Sequence, residues 1–285
     1  MAAKNRTKGR RSANQLAKLF RLDGRVAVIT GGAGLLGRQH AMAVEAFGGI
    51  PVIADIDLRL AKAAAREIGP SAVALKLNIT DPEDVARAAR RLVKRFGHVD
   101  ILINNAARNP KVEPGREKST LGRFEELDVA DWQLDLAVGL TGAMLCSRCF
   151  GEQMARQGNG VILNIASDLG VIAPNQGLYH KEGLPEEEQV KKPVSYSVVK
   201  SGLVGLTRYL ATYWADRGVR ANAICPGGVE NGQPQDFLER IGKLIPMGRM
   251  ARVDEYQGAI AYMCSDASSY MNGSVVSIDG GRTCW

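Results

Sequence analysis

Two side chains of this sequence, Tyr196 and Lys200, have the types and the spacing needed for proton transfer. Residues four apart lie on one face of a helix, so a phenol and an ammonium group can share one pocket. The pKa of a free tyrosine is about 10, and a nearby positive charge favours the ionised form. We therefore expect Lys200 to lower the pKa of Tyr196, which could then take the proton of an alcohol or return it. Ser167 follows the apolar run Val161–Ile165 and could hydrogen-bond the reacting oxygen.

A glycine-rich segment, Thr30–Gly37, follows the apolar run Val26–Ile29 and precedes a helical pattern at residues 38–47. Such a turn can serve packing alone, but it also lets backbone N–H groups and a helix N-terminus face a pyrophosphate. Asp55 ends a second strand 18 residues beyond Gly37, near the offset of about 20 residues expected of an acid that binds ribose hydroxyls. Because a carboxylate repels a 2′-phosphate, the segment predicts NAD rather than NADP as the cofactor.

The elements that must position these residues alternate along the chain. Helical patterns at Asp84–Phe96 and Val198–Arg217 are amphipathic, and Thr80-Asp81-Pro82 supplies a cap and a first-turn proline for the earlier helix. Functional loops are expected to meet at the carboxyl edge of the strands. The alternation predicts an α/β fold, a single Rossmann-type doubly wound parallel sheet with helices on both faces. The predicted strands are Val26–Ile29, Val52–Ala54, Val73–Leu77, Ile101–Ile103, Val161–Ile165 and Ala221–Ala223.

Charge divides the chain into a tail and a body. The net charge of +7 comes from 37 basic and 30 acidic side chains, and residues 1–21 hold seven basic residues and no acidic one. Residues 22–285 are therefore balanced, with 30 side chains of each sign. We predict one domain over residues 22–285 and a basic N-terminal extension over residues 1–21, which is either a mobile solubilising arm or an oligomer contact. No nucleic-acid partner is predicted.

Hydropathy and cysteine usage indicate the compartment. The sequence shows neither a secretory signal nor a run of about 20 apolar residues, so we predict a cytoplasmic protein without a membrane partner. Its five cysteines are scattered, which suits a reducing environment. Cys146 and Cys149 have the spacing of a metal or redox pair, but no second pair or histidine cluster accompanies them. Buried core thiols are the favoured interpretation, and no metal site is predicted.

Several short motifs occur in a fixed order and together carry a family resemblance. After the glycine turn and Asp55 come Asn104-Asn105-Ala106-Ala107, Ser167, Tyr196-Ser197-Val198-Val199-Lys200, Pro226-Gly227 and Asp279-Gly280-Gly281. In this order the sequence resembles the short-chain dehydrogenase/reductase family from about Phe20 to the C-terminus. The resemblance implies an NAD-dependent oxidoreductase that interconverts an alcohol and a ketone by hydride transfer.

The resemblance also implies roles for individual residues. Ser167, Tyr196 and Lys200 would be catalytic, and Lys200 would also hold the nicotinamide ribose. The residues expected to bind the cofactor are Gly31, Gly34, Leu35, Leu36, Gly37, Asp55, Asn78, Ile79, Asn105, Ala106, Tyr196, Lys200, Pro226, Gly228 and Val229.

Two positions depart from the family pattern. Leu35 stands where the turn usually carries a glycine, and Gly139 stands where a helix usually carries an asparagine that holds a water in a proton relay. A glycine within a helix costs about 1 kcal/mol relative to alanine and permits a local bend. Gly139 is compatible with a slower enzyme, with a water held by the backbone alone, or with an inactive relative. The alternative to the enzyme is therefore a catalytically weak NAD-binding sensor or assembly protein.

Two long segments bear on the substrate. The 29 residues from Ser167 to Tyr196 exceed the family's usual spacing and should arch over the reaction centre. The segment 108–131 leaves the same edge of the sheet. Together these loops predict a polar or anionic, carbohydrate-like substrate. Its partners would be His180 and the basic residues Arg108, Lys111, Arg116, Lys118 and Arg123.

A closer resemblance rests on Lys192–Ser197, Leu206–Asp216, Pro226–Asn231 and Asp279–Trp285. These runs are similar to a subgroup of the family associated with bacterial surface-sugar and nonulosonic-acid pathways. The family further implies a homo-oligomer, a tetramer or a dimer, assembled through the helix that bears Tyr196 and the long helix before it.

Overall fold

The computed structural model describes residues 12–108 and 122–285, and in these residues seven parallel strands form one sheet. The spatial order β3-β2-β1-β4-β5-β6-β7 reverses direction between β1 and β4, as in a doubly wound fold. The strands are β1 Val26–Thr30, β2 Ile50–Asp55, β3 Val73–Lys76, β4 Ile101–Asn104, β5 Gly160–Ile165, β6 Val219–Pro226 and β7 Val275–Ile278.

Helices connect the strands and lie against both faces of the sheet. A short π-helical turn, Ala137–Thr141, joins α5 to α6 without a break. The helices are α1 Ala13–Lys18, α2 Leu35–Ala46, α3 Leu58–Ile68, α4 Pro82–Phe96, α5 Val129–Leu136, α6 Gly142–Gln157, α7 Val194–Tyr213, α8 Gln235–Gly242 and α9 Gln257–Cys264.

The central strand β1 shows why the sheet needs helices on both sides. All five of its residues are buried. Val26 and Val28 belong to the core cluster beneath α4, α6 and α7. Ala27 and Ile29 belong to the cluster beneath α2, α3 and α9. Successive side chains of a strand point to opposite faces, so an uninterrupted apolar run requires cover on each face. The predicted fold class is confirmed.

The element boundaries follow local signals, with one omission. Asp81 caps α4 by accepting a hydrogen bond from the Glu83 N–H, and Pro82 is the first helical residue, as predicted. The helix α7, which carries Tyr196 and Lys200, begins at Val194 rather than Val198, directly after Pro193. The sequence prediction missed β7, a strand of four residues that are half-buried or exposed.

The structure describes part of the basic N-terminal extension. Ser12 caps α1, and the chain then contacts the domain. The Leu19 carbonyl accepts a hydrogen bond of 3.0 Å from the Ala267 N–H, and the Phe20 ring lies 6.3 Å from that of Tyr262. Residues 19–21 therefore pack beside the fully buried Leu22. The division at residue 21 stays a prediction.

One described helix, Val129–Gln157, is long and apolar enough by length and composition to cross a membrane. Its side chains Leu145, Phe150 and Met154 are buried in the core cluster on the sheet. A core helix of a globular domain has the same composition, so this helix is weak evidence for a membrane span. The absence of a membrane partner stays a prediction.

Candidate functional site

The carboxyl ends of the central strands surround a cavity of about 400 Å³. It is lined by all three predicted catalytic residues, Ser167 after β5 and Tyr196 and Lys200 on α7. Six of the predicted cofactor residues besides Tyr196 and Lys200 lie at the same cavity, namely Leu35, Leu36, Asn105, Pro226, Gly228 and Val229.

Lys200 is buried at the base of this cavity, with an exposure of 4%. Its Nζ atom donates a hydrogen bond of 2.8 Å to the Ile165 carbonyl and lies 5.6 Å from the centre of the Tyr196 ring. Burial lowers the pKa of Lys200 to about 8, and the charge of Lys192 acts in the same direction. The ammonium group is therefore close to its titration point near neutral pH.

The Tyr196 phenol does not have the lowered pKa that the sequence led us to expect. Burial raises the pKa of Tyr196, a hydrogen bond with Ser167 opposes this rise, and the negative charge of Asp168 adds to it. In the protein by itself, the loss of hydration therefore outweighs the hydrogen bond with Ser167. A second cation was missed by the sequence analysis. Lys192 Nζ lies 3.9 Å from the centre of the Tyr196 ring.

Ser167 lies two residues beyond the end of β5, and its exposure is 5%. Its hydroxyl donates a hydrogen bond of 2.7 Å to Asp168 Oδ1 and accepts one of 3.2 Å from the Leu169 N–H. The hydroxyl is held at a fixed position beside the phenol.

The glycine turn has backbone contacts that exclude side chains. Gly31 has φ of +59°, and a Cβ atom there would lie 2.9 Å from Ala106 Cα. A Cβ atom on Gly37 would lie 2.4 Å from the Gly31 carbonyl oxygen. Gly34 precedes α2 as its N-cap, and an added Cβ would meet only that same oxygen, at 3.3 Å. A Cβ atom on Gly32 would lie 2.8 Å from the Ile29 carbonyl oxygen, so three of the four glycines of this turn are sterically required.

Asn105 fixes the turn from the end of β4. Its Nδ2 donates to the carbonyls of Thr30 and Gly31 at 2.9 and 3.1 Å. Thr30 Oγ1 in turn accepts from the backbone N–H groups of Asn105 and Ala106 at 3.0 and 3.1 Å. This reciprocal set of hydrogen bonds ties β1 to β4 below the turn.

The cradle fits the pyrophosphate of a dinucleotide. The first N–H groups of α2 have no intrahelical partners and face outwards from the turn. Leu35, which replaces a glycine of the family pattern, is the first residue of α2, is 44% exposed and lines the cavity. Its side chain therefore extends away from the glycine contacts, and the backbone cradle remains open.

Other predicted cofactor residues lie further along the sheet edge, outside the cavity lining. Asp55 accepts from the N–H groups of Ala33 and Asp57 at 3.2 and 3.1 Å, which holds its carboxylate beside the glycine turn. Asn78 accepts from Thr80 Oγ1 at 2.8 Å. Ile79 packs against Gly142 at the start of α6. The two are so close that a Cβ atom added to Gly142 would lie 2.8 Å from Ile79 Cδ1.

Gly139 lies within the π-helical turn and is buried. A Cβ atom there would be 2.4 Å from Val199 Cγ1 on α7. Val199 thus occupies the space that a larger residue at position 139 would need. The turn is the local bend expected of a glycine here, and such π turns are frequent at functional sites.

The insertion between Ser167 and Tyr196 does reach over the cavity, where Leu178, Tyr179 and Lys192 are lining residues. It is held by the buried Gln189, whose side chain donates to the carbonyls of Lys181 and Leu184, both at 2.8 Å, and accepts from the Lys181 N–H at 2.9 Å.

Two further groups close the substrate side of the cavity. From α8, Phe237 packs against Tyr179 with ring centres 5.8 Å apart. From the C-terminal turn, Arg282 forms a buried ion pair with Asp168, with 3.1 Å between Nε and Oδ2.

The basic residues predicted to meet the substrate have other contacts. Arg108 pairs with Asp131 and Asp135 at 2.9 and 3.1 Å. Arg123 donates to the Glu186 carbonyl, and His180 is absent from the cavity lining in the described part of the chain. Lys111, Arg116 and Lys118 lie outside the described residues.

Besides Lys200, the described cavity lining contains two cations that the sequence analysis missed, Lys192 and Arg282. Two signals could have found them. Lys192 precedes Tyr196 by four residues, and Arg282 follows the marker Asp279-Gly280-Gly281.

None of the five cysteines is among the described residues that line the cavity. Cys146 is fully buried in the core, which raises its pKa to about 12, and Cys149 packs against the same cluster. All five thiols are free. Among residues 12–108 and 122–285, no group of three or more His, Cys, Asp or Glu side chains could hold a metal ion.

A doubly wound sheet with a glycine cradle and a Ser, Tyr and Lys group at its carboxyl edge defines a nucleotide-dependent enzyme of the short-chain type. Comparison with family models agrees. Residues 25–180 match a model described as short chain dehydrogenase, and residues 184–283 match one described as Enoyl-(Acyl carrier protein) reductase. The chain belongs to the short-chain dehydrogenase/reductase family.

Characterised relatives are similar over almost the whole chain. D-threitol dehydrogenase of Mycolicibacterium smegmatis is 34% identical over 93% of this chain and 95% of its own length. Cis-4-hydroxycyclohexanecarboxylate dehydrogenase of Sinomonas cyclohexanicum is 32% identical over 91% and 96%. A crystal structure of gluconate 5-dehydrogenase from Burkholderia cenocepacia J2315, in complex with NADP and tartrate, is 27% identical over 94% and 98%, with a TM-score of 0.81.

Proposed function

We propose that this protein interconverts an alcohol and a ketone on a polyol or sugar-acid substrate with a nicotinamide cofactor. The observation that carries the proposal is the placement of Ser167, Tyr196 and Lys200 around one cavity beside the glycine cradle. The names of the relatives support this substrate class. Those names denote polyols and hydroxy acids, and our proposal of the substrate class follows them. Membership of the subgroup associated with bacterial surface sugars stays a separate proposal.

The chain's own residues divide the chemistry between them. The bound nicotinamide would supply or accept the hydride. Tyr196 would exchange a proton with the substrate oxygen, and Ser167 would hold that oxygen in place. Since burial raises the pKa of Tyr196, the phenol is neutral at physiological pH and suited to donate its proton in the reducing direction. Lys200 would hold the ribose next to the phenol.

A substitution at Tyr196 tests the reaction. In Tyr196→Phe we expect turnover of a polyol or of gluconate to fall by roughly 10² to 10⁴-fold, with NADH affinity retained. Tyr270 is fully exposed, so Tyr270→Phe is a matched control that should retain full turnover. Undiminished turnover in Tyr196→Phe would refute the assigned role.

We propose NAD as the preferred cofactor because the Asp55 carboxylate is held beside the glycine turn, where it would accept hydrogen bonds from the ribose and repel a 2′-phosphate. The test is calorimetric titration with NADH and NADPH. Asp55→Asn keeps the shape of the side chain and removes its charge, so the preference for NADH should decrease in this variant. Equal affinities in the unmodified protein would contradict the proposal.

A catalytically weak nucleotide-binding protein is the second candidate, and Gly139 is the observation that favours it. Retained NADH binding without hydride transfer to any polyol or sugar acid would support this alternative.

A homo-oligomer is also proposed. The exposed aromatic side chains of Tyr209 and Tyr213 on α7 are consistent with burial between subunits. Analytical ultracentrifugation would measure the assembly, and a monomer would contradict it. The cytoplasmic location stays a prediction.

A further inference from the structure

The Ser167 hydroxyl is turned in one direction by its neighbours. Its Oγ atom donates a hydrogen bond of 2.7 Å to Asp168 Oδ1 and accepts one of 3.2 Å from the Leu169 N–H. An ionised carboxylate only accepts hydrogen bonds, so the single proton of this hydroxyl lies towards Asp168. Leu169 uses one of the two oxygen lone pairs, and one remains. Ser167 therefore presents a lone pair, and not its proton, to the cavity that it lines.

The Asp168 carboxylate is itself held on two sides. Its Oδ1 atom accepts from the Leu169 N–H at 2.8 Å, and its Oδ2 atom forms an ion pair of 3.1 Å with Arg282 Nε. Both side chains are buried, with exposures of 9% and 6%. A buried carboxylate without a cation is costly, so Arg282 is what permits a negative charge this close to Ser167. Arg282 lies in the C-terminal turn, where two backbone N–H groups donate to Asp279 at 2.9 and 3.0 Å.

The direction of the Ser167 proton matters because the Tyr196 phenol lines the same cavity. Burial raises the pKa of Tyr196, and a hydrogen bond with Ser167 opposes this rise. Asp168 acts against Ser167 in two ways. Its negative charge raises the pKa of Tyr196 further, and its own hydrogen bond holds the Ser167 proton away from a phenolate.

Tyr196 has other charged and titratable neighbours, whose charges must stay constant in a test. Besides Asp168 and Arg282, those on the cavity lining come from the insertion and from α7, and those on a smaller cavity beside Tyr196 come from α5 and the segment after β4. They are Tyr179, Lys192, Lys200, Asp135 and Arg108. Because Asp168 and Arg282 carry opposite charges, removing both leaves the sum of charges around the phenol unchanged. The effect of this pair on the Ser167 proton can therefore be separated from the effect of charge.

We propose that Asp168, held by Arg282, is a positioning residue that turns the Ser167 proton away from the cavity. Ser167 then accepts a hydrogen bond from the hydroxyl group of an alcohol and has no proton to donate to a ketone. The alcohol is thus the better-held form of the substrate. In this respect the inference rests on the proposed function, whereas the direction of the Ser167 proton does not depend on it.

Titration of Tyr196 tests this role in the full chain without a substrate. Tyrosinate absorbance is recorded against pH, and Tyr196→Phe in each background subtracts the other tyrosines. In Asp168→Leu/Arg282→Met, apolar side chains replace the buried pair, a change that is often neutral for stability. The released Ser167 proton should lower the midpoint of Tyr196 by about one to two pH units, the effect of one hydrogen bond to a charged group. Adding Ser167→Ala should abolish most of this fall.

Further variants separate charge from hydrogen bonding. Arg282→Met keeps the bond between Ser167 and Asp168 but leaves the carboxylate unpaired, so the midpoint should rise. Asp266→Leu/Arg25→Met is the matched control, since it removes another Asp–Arg pair, of 2.7 Å, outside the cavity lining, and should leave the midpoint unchanged. Asp168→Asn guards against a folding defect in the double variant, which NADH binding would reveal. Its neutral amide is a weaker acceptor, so the midpoint should fall here too, and by less when Ser167→Ala is added.

The outcomes distinguish this role from the proposed reaction. An unchanged or higher midpoint in the double variant, or an equal fall with and without the Ser167 hydroxyl, would overturn the positioning role. With a polyol and ketone that the enzyme interconverts, the double variant should lower the KM of the ketone relative to that of the alcohol by about tenfold. An unchanged ratio would contradict the preference for the alcohol. The titration shifts without any turnover would contradict only the proposed function.

Discussion

The nucleotide side and the substrate side of the cavity are built in different ways. On the nucleotide side, backbone atoms of β1, α2 and β4 approach so closely that Gly31 and Gly37 exclude any side chain. On the substrate side, the lining comes from side chains of the insertion, of α8 and of the C-terminal turn. The first arrangement tolerates few residue types, whereas the second can change by single substitutions. Within one fold, the cofactor site is thus constrained and the substrate site is adjustable.

The largest effect is expected where the nucleotide side is most constrained. In Gly37→Ala, the new Cβ would lie 2.4 Å from the Gly31 carbonyl oxygen and 2.7 Å from Gly32 Cα. Both neighbours are backbone, so the turn must move, and NADH affinity should fall by more than tenfold with a loss of roughly 1 to 3 kcal/mol in the free energy of unfolding. Calorimetry and urea denaturation measure the two quantities.

Gly34→Ala is the control for this turn, because its Cβ meets only one atom, at 3.3 Å. It should change NADH affinity by a few fold at most. Similar losses in the two variants would show that the turn is not limited by the Gly37 contact.

On the substrate side, Gln189→Ala should affect only the insertion between Ser167 and Tyr196. The change leaves the backbone groups of Lys181 and Leu184 without their partners, which costs about 1 to 3 kcal/mol for each unsatisfied buried group. We expect a several-fold rise in the KM of the sugar acid and faster proteolysis within residues 176–192, with NADH affinity unchanged. Glu188→Ala, at an exposed neighbour, should leave both measurements as they are. Weakened NADH binding in Gln189→Ala would contradict the separation of the nucleotide side from the substrate side.

The packing of Gly139 against Val199 predicts that substitutions at these two positions compensate each other. Gly139→Ala should destabilise the fold by roughly 1 to 3 kcal/mol through overpacking against Val199. Val199→Ala removes the contacting methyl groups, so the double variant should recover part of the loss relative to the sum of the single changes. A double-variant cycle by urea denaturation measures this coupling. Strict additivity would mean that the π-helical turn absorbs the extra methyl group by itself.

The smallest expected effect is a change in the pH dependence of stability. Burial lowers the pKa of Lys192 from 10.5 to about 8. Between these pH values the unfolded chain binds more protons at this residue than the folded chain, so its contribution to the free energy of unfolding rises with pH. The unmodified protein should gain on the order of 1 kcal/mol over Lys192→Met from pH 8 to pH 10, with a constant difference below about pH 7. Urea denaturation at each pH measures the free energy of unfolding of both proteins. A difference between them that does not change with pH would contradict the lowered pKa of Lys192.

The contrast between the sides also decides what the sequence could predict. Val26 to Ile29 and the glycine turn follow rules of periodicity and backbone clearance that act within a few residues, so the buried strands and the turn were predictable. The strand β7 was missed because its residues are half-buried or exposed. The position of Ser167 follows in the same way from the end of β5. Lys192 and Arg282 line the same cavity although 90 residues of sequence separate them, and nothing local indicates that Arg282 would turn towards Asp168. The prediction of a lowered pKa for Tyr196 was wrong for a related reason, since the burial of this side chain depends on the packing of the whole insertion.

The spatial order of the strands has a consequence for how the chain acquires its structure. β1 lies between β2 and β4, so residues 26–106 contain every contact that ties the glycine turn to Asn105. Domains emerge from the ribosome from the N-terminus onwards, and long-range parallel pairing is slow. We expect the half-sheet β3-β2-β1-β4 to assemble during synthesis ahead of α7, so a nucleotide could stabilise the nascent chain before Tyr196 has been translated.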